Sequence, residues 1–138
     1  MDAVVLIGRV LFSVLFLGSA SGHFMNADAM AGYAKSQGVP SPKAGVLASG
    51  GLMALGALSV LLGIWADAGM LLLAIVLLPI TFLMHAFWKE SDPEAKQNQM
   101  VQFNKNLALI GAALMLFAFF AHTPELGLTI TGPLFDRG

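Results

Sequence analysis

Apolar residues are concentrated in four stretches that carry almost no charge. Residues 3–22 contain one charged side chain, Arg9, and residues 44–64 and 68–88 contain no Asp, Glu, Lys or Arg. The fourth stretch, 107–121, is shorter, but its helical pattern extends back toward residue 102. A helix that crosses a bilayer needs about 20 mostly apolar residues. The pattern therefore predicts four membrane-spanning helices, at about 3–22, 44–64, 68–88 and 102–121.

The polar segments between these stretches predict how the spans are connected. Residues 27–36 favour a short amphipathic helix at the membrane surface. The second connection is so short that the second and third spans must be antiparallel neighbours, and Asp67 is expected to cap the first N–H groups of the third. Residues 89–99 alternate in charge and predict a solvated loop. We expect one all-α membrane domain over residues 1–138, a four transmembrane helix antiparallel bundle.

Small residues and a proline refine this prediction. Ser49, Gly56 and Gly63 recur every seven positions along the second span and predict a stripe where another backbone comes close. Pro79 predicts a kink in the third span. The first span also resembles a cleavable signal peptide, since Arg9 precedes an apolar run and small residues, but a basic leader does not precede it.

The composition supports a membrane protein and excludes several functions. Hydrophobic residues make up 57% of the chain and charged residues 11%, against about 45–50% and about 25% in soluble domains. The surplus apolar surface must face the lipid bilayer. A net charge of −1 with seven Lys and Arg leaves no basic surface for nucleic acid. The chain has no cysteine, so a redox role would need a bound cofactor or another subunit.

The distribution of basic residues predicts an orientation. Loops between the first and second spans and between the third and fourth lie on one side of the membrane, and Arg9 and Arg137 lie toward the other. Basic residues are enriched on the cytoplasmic side of membrane proteins. The termini are therefore expected to be periplasmic or extracellular. The five lysines on the predicted cytoplasmic side are Lys35, Lys43, Lys89, Lys96 and Lys105.

Polar residues gather near this predicted cytoplasmic surface. Two histidines there can hydrogen-bond a quinone headgroup, or ligate a haem or a metal, although no carboxylate accompanies them. Ordinary polar contacts, an aromatic belt and lysine side chains that reach the headgroups are the structural alternatives. The candidate quinone-binding or polar cluster comprises His23, His85, Trp88, Lys105 and Asn106.

A second polar group lies near the opposite surface. Arg9 is costly within a span unless it reaches the surface or finds a partner inside the bundle. Asp67, His122 and Glu125 lie at the same level and can form salt bridges with it. We interpret Arg9, Asp67 and His122 as structural polar residues. The chain carries no motif for catalysis by itself, and we name no catalytic residue and no metal ligand.

The order of these motifs resembles that of the DoxX family of small four-helix bacterial membrane proteins. The resemblance rests on Arg9, on Gly38-Val39-Pro40, on Leu62-Gly63, on 85–88 (His-Ala-Phe-Trp) and on 105–111, and extends to the tail at 131–137. Two positions differ from the family pattern. Many members have a lysine where this chain has His23, and an acidic residue where it has Met53.

The resemblance implies a location and a function. It implies a multi-pass protein of the bacterial cytoplasmic membrane, acting as an accessory subunit of a quinone-linked respiratory or oxidative-stress complex that helps to bind quinone or to dock other subunits. The alternative is a structural assembly subunit without a ligand, which the small residues of the second span favour. A small-solute transporter is a weaker hypothesis, because one four-helix bundle has little room for a pathway, although a homo-oligomer would provide it.

Overall fold

The structure, a computed structural model, describes residues 1–136, so Arg137 lies outside the described residues. The described chain is helical and contains no strand. Four of its helical segments are long and apolar enough to cross a membrane. The predicted all-α membrane fold is confirmed. The elements are α1 Asp2–Met25, α2 Ala27–Ser36, α3 Pro42–Leu62, α4 Ala66–Met84, a 3₁₀ turn Phe87–Lys89, and α5 Pro93–Ala121.

The spanning helices pack in chain order, α1 on α3, α3 on α4 and α4 on α5. Each pair is antiparallel: for example, Arg9 near the start of α1 binds Val60 near the end of α3, and His23 near the end of α1 binds Val46 near the start of α3. Within the described residues, α1 and α5 bring no Cα atoms within 8 Å of each other. The shared core includes Phe16, Met53, Val60, Leu73, Ile110 and Phe120.

Close approach of α3 and α4 depends on glycine. A Cβ added to Gly69 would lie 2.9 Å from the backbone oxygen of Gly56, and one added to Gly56 would lie 2.8 Å from Leu73. Gly63, in the left-handed conformation at φ 65°, ends α3, and a Cβ added there would lie 2.7 Å from Nη2 of Arg9 and 2.8 Å from Thr129. The predicted close approach along the small-residue stripe is thus confirmed at Gly56 and Gly63.

The last helix begins earlier than its apolar pattern predicts. Asp92 accepts a hydrogen bond from the backbone N–H of Ala95 at 2.8 Å, and Pro93 occupies the first helical turn. This capped start places α5 from residue 93, nine residues before the predicted 102. Most of the segment expected to be a charged loop is therefore helix. Its first turns are polar, so hydropathy alone does not detect them.

The start of α4 corrects the role expected of Asp67. The N-cap residue is Trp65, and no side chain caps this helix end. The Asp67 carboxylate is completely buried and accepts hydrogen bonds from the backbone N–H groups of Leu134, at 2.9 Å, and Phe135, at 2.7 Å. The capping prediction is wrong because the C-terminal segment folds back over the bundle and supplies these donors.

The end of α4 also differs from the sequence prediction. The helix ends at Met84, and the chain passes through His85 and Ala86 into the 3₁₀ turn. His85 and Trp88 therefore lie on a non-α connection rather than on the third spanning helix. This connection leads the chain into α5. The side chains of His85 and Trp88 on it have different neighbours: His85 contacts Gln99, and Trp88 packs against Phe87 and Phe103.

Candidate functional site

A cavity of about 820 Å³ lies at the end of the bundle where α1 and α4 finish and α3 begins. Its wall is mainly apolar and includes residues from all five α-helices. Four of the five residues predicted as a polar cluster line it, namely His23, His85, Lys105 and Asn106. The fifth, Trp88, does not line it and is half exposed, packed edge-on against Phe87 and Phe103.

The packing of α3 and α4 explains why this space exists. The two helices are in close contact at Gly56 and Gly69, near the turn that joins them. Toward the other end of the pair, larger and lipid-exposed side chains line the cavity, among them Leu52 on α3 and Ile75 and Leu83 on α4. Since these residues are both exposed and part of the wall, the cavity reaches the lipid-facing surface between α3 and α4.

His23 is held firmly by the first turns of α3. The side chain is 7% exposed, and its Nδ1 lies 3.0 Å from the carbonyl oxygen of Val46 and 3.0 Å from the hydroxyl of Ser49. The Ser49 hydroxyl itself donates to Val46. Gly50 makes this contact possible, because a Cβ there would lie 2.7 Å from the Cβ of His23.

His85 belongs to a hydrogen-bonded chain that links three elements. Its Nδ1 lies 2.8 Å from Oε1 of Gln99 on α5. The amide nitrogen of Gln99 donates to the Tyr33 hydroxyl at 3.2 Å, and Tyr33 on α2 donates to the carbonyl oxygen of Met84 at 2.9 Å. This series of hydrogen bonds holds His85 at the cavity wall and connects α2 to the end of α4.

Asn106 differs from the two histidines because its side chain has no hydrogen-bond partner within residues 1–136. It is 5% exposed and lines the cavity, yet among the described residues its amide makes no hydrogen bond. The only side-chain oxygen or nitrogen atom in the described chain that is both enclosed and unpaired is Oγ of Ser13, so the Asn106 amide is not sealed in the core. The amide is therefore available to hydrogen-bond a ligand in the cavity.

The α2 helix covers the cavity and is fastened at both ends. Lys43 forms a salt bridge with Asp28 at 2.9 Å, and its hydrogen bond and positive charge lower the pKa of that carboxyl. Burial, together with the charge of Glu90, raises the pKa of the Tyr33 phenol. Lys105, at the exposed rim, donates to Oε1 of Gln102 at 2.6 Å.

Arg9 organises the opposite end of the bundle. It is 3% exposed, and Nε, Nη2 and Nη1 donate to the carbonyl oxygens of Val60, Leu61 and Leu128, each at 2.7 Å. Two of these are among the last carbonyls of α3, which lack the regular helical donor four residues on, although the carbonyl of Val60 also accepts from the N–H of Gly63 at 3.3 Å. Arg9 therefore lies inside the bundle rather than reaching for the surface, and it joins α1, α3 and the C-terminal segment.

The other residues predicted at that end do not join Arg9. His122 is exposed and its Nδ1 contacts only the carbonyl oxygen of Ala118 on its own helix. Within residues 1–136, no salt bridge links Arg9, Asp67, His122 or Glu125, so the salt bridges considered from the sequence do not form. The described residues also contain no group of three His, Cys, Asp or Glu side chains placed to hold a metal ion.

Several cavity residues were not predicted from the sequence. Tyr33, Ser49 and Gln102 line the wall, and Gln99 positions His85. Tyr33 is the only tyrosine in the chain and lies in the predicted surface helix, which is the one local signal available. Its partners lie 51 and 66 positions away, a distance that periodicity does not reveal.

A model of the DoxX family matches residues 4–86, which are 83 of the 138 residues. The chain belongs to the DoxX family. No curated protein and no solved structure gave a significant match. The matched range contains Arg9, His23, Asp67 and His85. His23 and Met53, the two positions expected from the sequence to differ from the family pattern, both line the cavity.

Proposed function

We propose that this DoxX protein is an accessory subunit of a quinone-linked redox complex in the bacterial cytoplasmic membrane, and that it binds a quinone in the cavity of about 820 Å³. The observation that supports this most is the unpaired amide of Asn106 beside two histidines in a mainly apolar wall. Binding sites for small molecules combine an apolar cavity of about 300–1,000 Å³ with a few polar groups that fix orientation.

The chemistry of a quinone suits this wall. Its ring and apolar chain match the apolar side chains, and its oxygens can accept a hydrogen bond from the NH₂ group of Asn106. A quinone is dissolved in the bilayer, and exposed residues of α3 and α4 such as Leu52 and Leu83 offer entry from lipid. The chain has no cysteine, so electrons would pass to and from the quinone through a bound cofactor or another subunit.

The charge distribution supports a cytoplasmic location for the cavity end. The five lysines counted above lie at or near that end. Arg9, by contrast, is buried and fully engaged by backbone carbonyls. It therefore adds no free positive charge to the opposite surface, and the positive-inside rule favours the cavity end in the cytoplasm more strongly.

Quinone binding is tested with purified protein in lipid nanodiscs. Titration with a decyl-chain benzoquinone should show saturable binding to the wild type. Asn106→Leu, which has a similar volume but no amide, should weaken binding at least about tenfold. His122→Ala, at the opposite end, is the control and should bind like the wild type. The absence of saturable binding of both the oxidised and the reduced form of this compound to the wild type, or equal binding to Asn106→Leu, would overturn the proposed site.

The accessory role is tested by purification from native membranes in mild detergent, followed by mass spectrometry of proteins and lipids. Oxidase or dehydrogenase subunits together with quinone support the redox role. Partners without quinone favour the structural alternative.

The structural alternative has its own support in α1. Gly18 and Gly22 lie four residues apart on an exposed face of this helix with open space around them. This spacing suits contact with another helix.

A further inference from the structure

We propose that the cavity selects the reduced, hydroxyl-bearing quinol over the oxidised quinone. This inference rests on the proposed function, since it specifies which form of the ligand the site binds. It follows from the hydrogen bonds that fix the two histidines. An uncharged imidazole has one N–H donor and one nitrogen acceptor, and the partner of the first nitrogen decides the role of the second.

The carbonyl oxygen of Val46 fixes the tautomer of His23. A carbonyl oxygen only accepts, and it lies 3.0 Å from Nδ1. Nδ1 must therefore carry the proton, and Ser49, which donates to the same carbonyl, offers its oxygen to that proton as well. The Nε2 atom of uncharged His23 is then an acceptor. Among the described residues it has no partner, and it is not enclosed.

The carbonyl oxygen of Met84 fixes the tautomer of His85 through the side chains of Tyr33 and Gln99. The one hydroxyl proton of Tyr33 is donated to that carbonyl, so the amide group of Gln99 that faces Tyr33 must be its NH₂. The oxygen of Gln99 then faces His85, and Nδ1 of His85 must donate to it. The Nε2 atom of His85 is again an acceptor, and no described residue donates to it.

Both histidines thus offer acceptors to a ligand in the cavity that they line. A quinone has only carbonyl oxygens, which would meet these nitrogen lone pairs without a proton between them. A quinol has two hydroxyl groups that donate to Nε2 and also accept from the NH₂ group of Asn106. Lys105 does not reverse the preference, because it lies at the exposed rim and donates to Gln102.

The proposal is tested by comparing the two redox forms of one compound. Decylubiquinone and its dithionite-reduced quinol are titrated anaerobically into wild-type nanodiscs at pH 8. We expect the quinol to bind at least about tenfold more tightly. His23→Asn places an amide nitrogen near the position of Nδ1 but has no group at Nε2, so it should lose more affinity for the quinol than for the quinone and bring the two affinities closer together.

Matched variants separate this effect from a loss of folding. His23→Gln keeps a carbonyl oxygen near Nε2 and should retain more quinol selectivity than His23→Asn. Thermal unfolding without ligand should show that His23→Asn is folded. Equal affinity of the wild type for both forms, or tighter binding of the quinone, would overturn the selectivity and leave the proposed function standing. Binding of neither form would overturn both.

Discussion

At the scale of single residues, the shape of the Arg9 side chain decides its place in the structure. Three of its nitrogen atoms bind three carbonyl oxygens at 2.7 Å, two on α3 and one on the C-terminal segment. A planar guanidinium presents its donors in fixed directions, whereas a lysine presents one compact charge. A positive charge is also favourable near the carbonyl end of a helix. The position therefore requires arginine rather than any cation.

Replacing Arg9 by lysine should destabilise the protein. Lysine can satisfy only one of the three carbonyls. The carbonyls of Leu61 and Leu128 have no other donor among the described residues, so at least one of them is left unpaired, and we expect a loss of roughly 2–4 kcal/mol in the free energy of unfolding. Dodecyl sulfate titration in mixed micelles measures this quantity. The reverse exchange at an exposed site, Lys96→Arg, is the control and should change stability little. Similar values for both variants would contradict the role assigned to Arg9.

Tyr33 allows a direct test of the cavity cover, because it is the only tyrosine in the chain. Burial and then the charge of Glu90 raise its pKa above the ordinary value. Absorbance during an alkaline titration should therefore show ionisation at higher pH in the folded protein than in the denatured protein. Glu90→Gln should move the folded pKa partly back. A folded pKa at or below that of the denatured protein would contradict the geometry.

The raised pKa of Tyr33 also determines how the free energy of unfolding changes with pH. Since the folded pKa of Tyr33 is raised, the unfolded chain loses its phenol proton first as the pH increases. The stability that the protonated Tyr33 phenol contributes is fully present below the ordinary pKa of about 10. It is lost as the pH rises through the pKa of Tyr33 in the folded protein. Tyr33→Phe should remove this part of the pH dependence.

The residue scale also shows how far the sequence could predict the site. His23, His85, Lys105 and Asn106 could be grouped because each lies at the same end of a predicted span. The role of Asp67 was misassigned because a carboxylate at the start of a helix has the same local pattern whether it caps that helix or binds elsewhere. Its donors, Leu134 and Phe135, lie 67 and 68 positions away along the chain.

At the scale of helices, neighbouring glycines on α3 have opposite roles. A Cβ at Gly50 would lie 2.7 Å from the Cβ of His23, whereas a Cβ at Gly51 would meet nothing within 4 Å. We expect Gly50→Ala to destabilise the protein by about 1–3 kcal/mol through overpacking. Gly51→Ala should be neutral or stabilise by up to about 1 kcal/mol, since alanine favours helix.

Ligand binding distinguishes this packing effect from a general change in α3. Gly50→Ala must move His23 away from Val46, so it should also weaken quinol binding in nanodiscs, while Gly51→Ala should not. Thermal unfolding and the binding titration use the same samples. Equal behaviour of the two alanine variants in both measurements would show that α1 and α3 do not meet at Gly50.

The helices themselves could be predicted to different extents. The apolar runs of α1, α3 and α4 are long, and hydropathy found each of them. The start of α5 was missed because its first turns lie among charged residues, where hydropathy carries no signal. The relevant signal was the cap formed by Asp92 and Pro93. The non-α connection at His85 had no comparable local marker.

At the scale of the whole molecule, the two ends of the bundle are built differently. At one end, Arg9 and Asp67 bind the C-terminal segment over the packed helices. At the other end, the helices leave the cavity, and α2 covers it through Tyr33 and the salt bridge of Lys43. This asymmetry makes the orientation in the membrane a functional question, because it decides which compartment the histidines approach.

Orientation is testable because the chain contains no cysteine, so a single introduced thiol reports one position. Ser91 lies exposed between α4 and α5, and Glu125 lies exposed after α5. One spanning helix separates them, so the two sites must lie on opposite sides of the membrane. With the cavity end in the cytoplasm, a membrane-impermeant maleimide should label Glu125→Cys in intact spheroplasts, and Ser91→Cys only after the membrane is opened. The reverse pattern would place the cavity end outside, and labelling of both in intact spheroplasts would contradict the spanning role of α5.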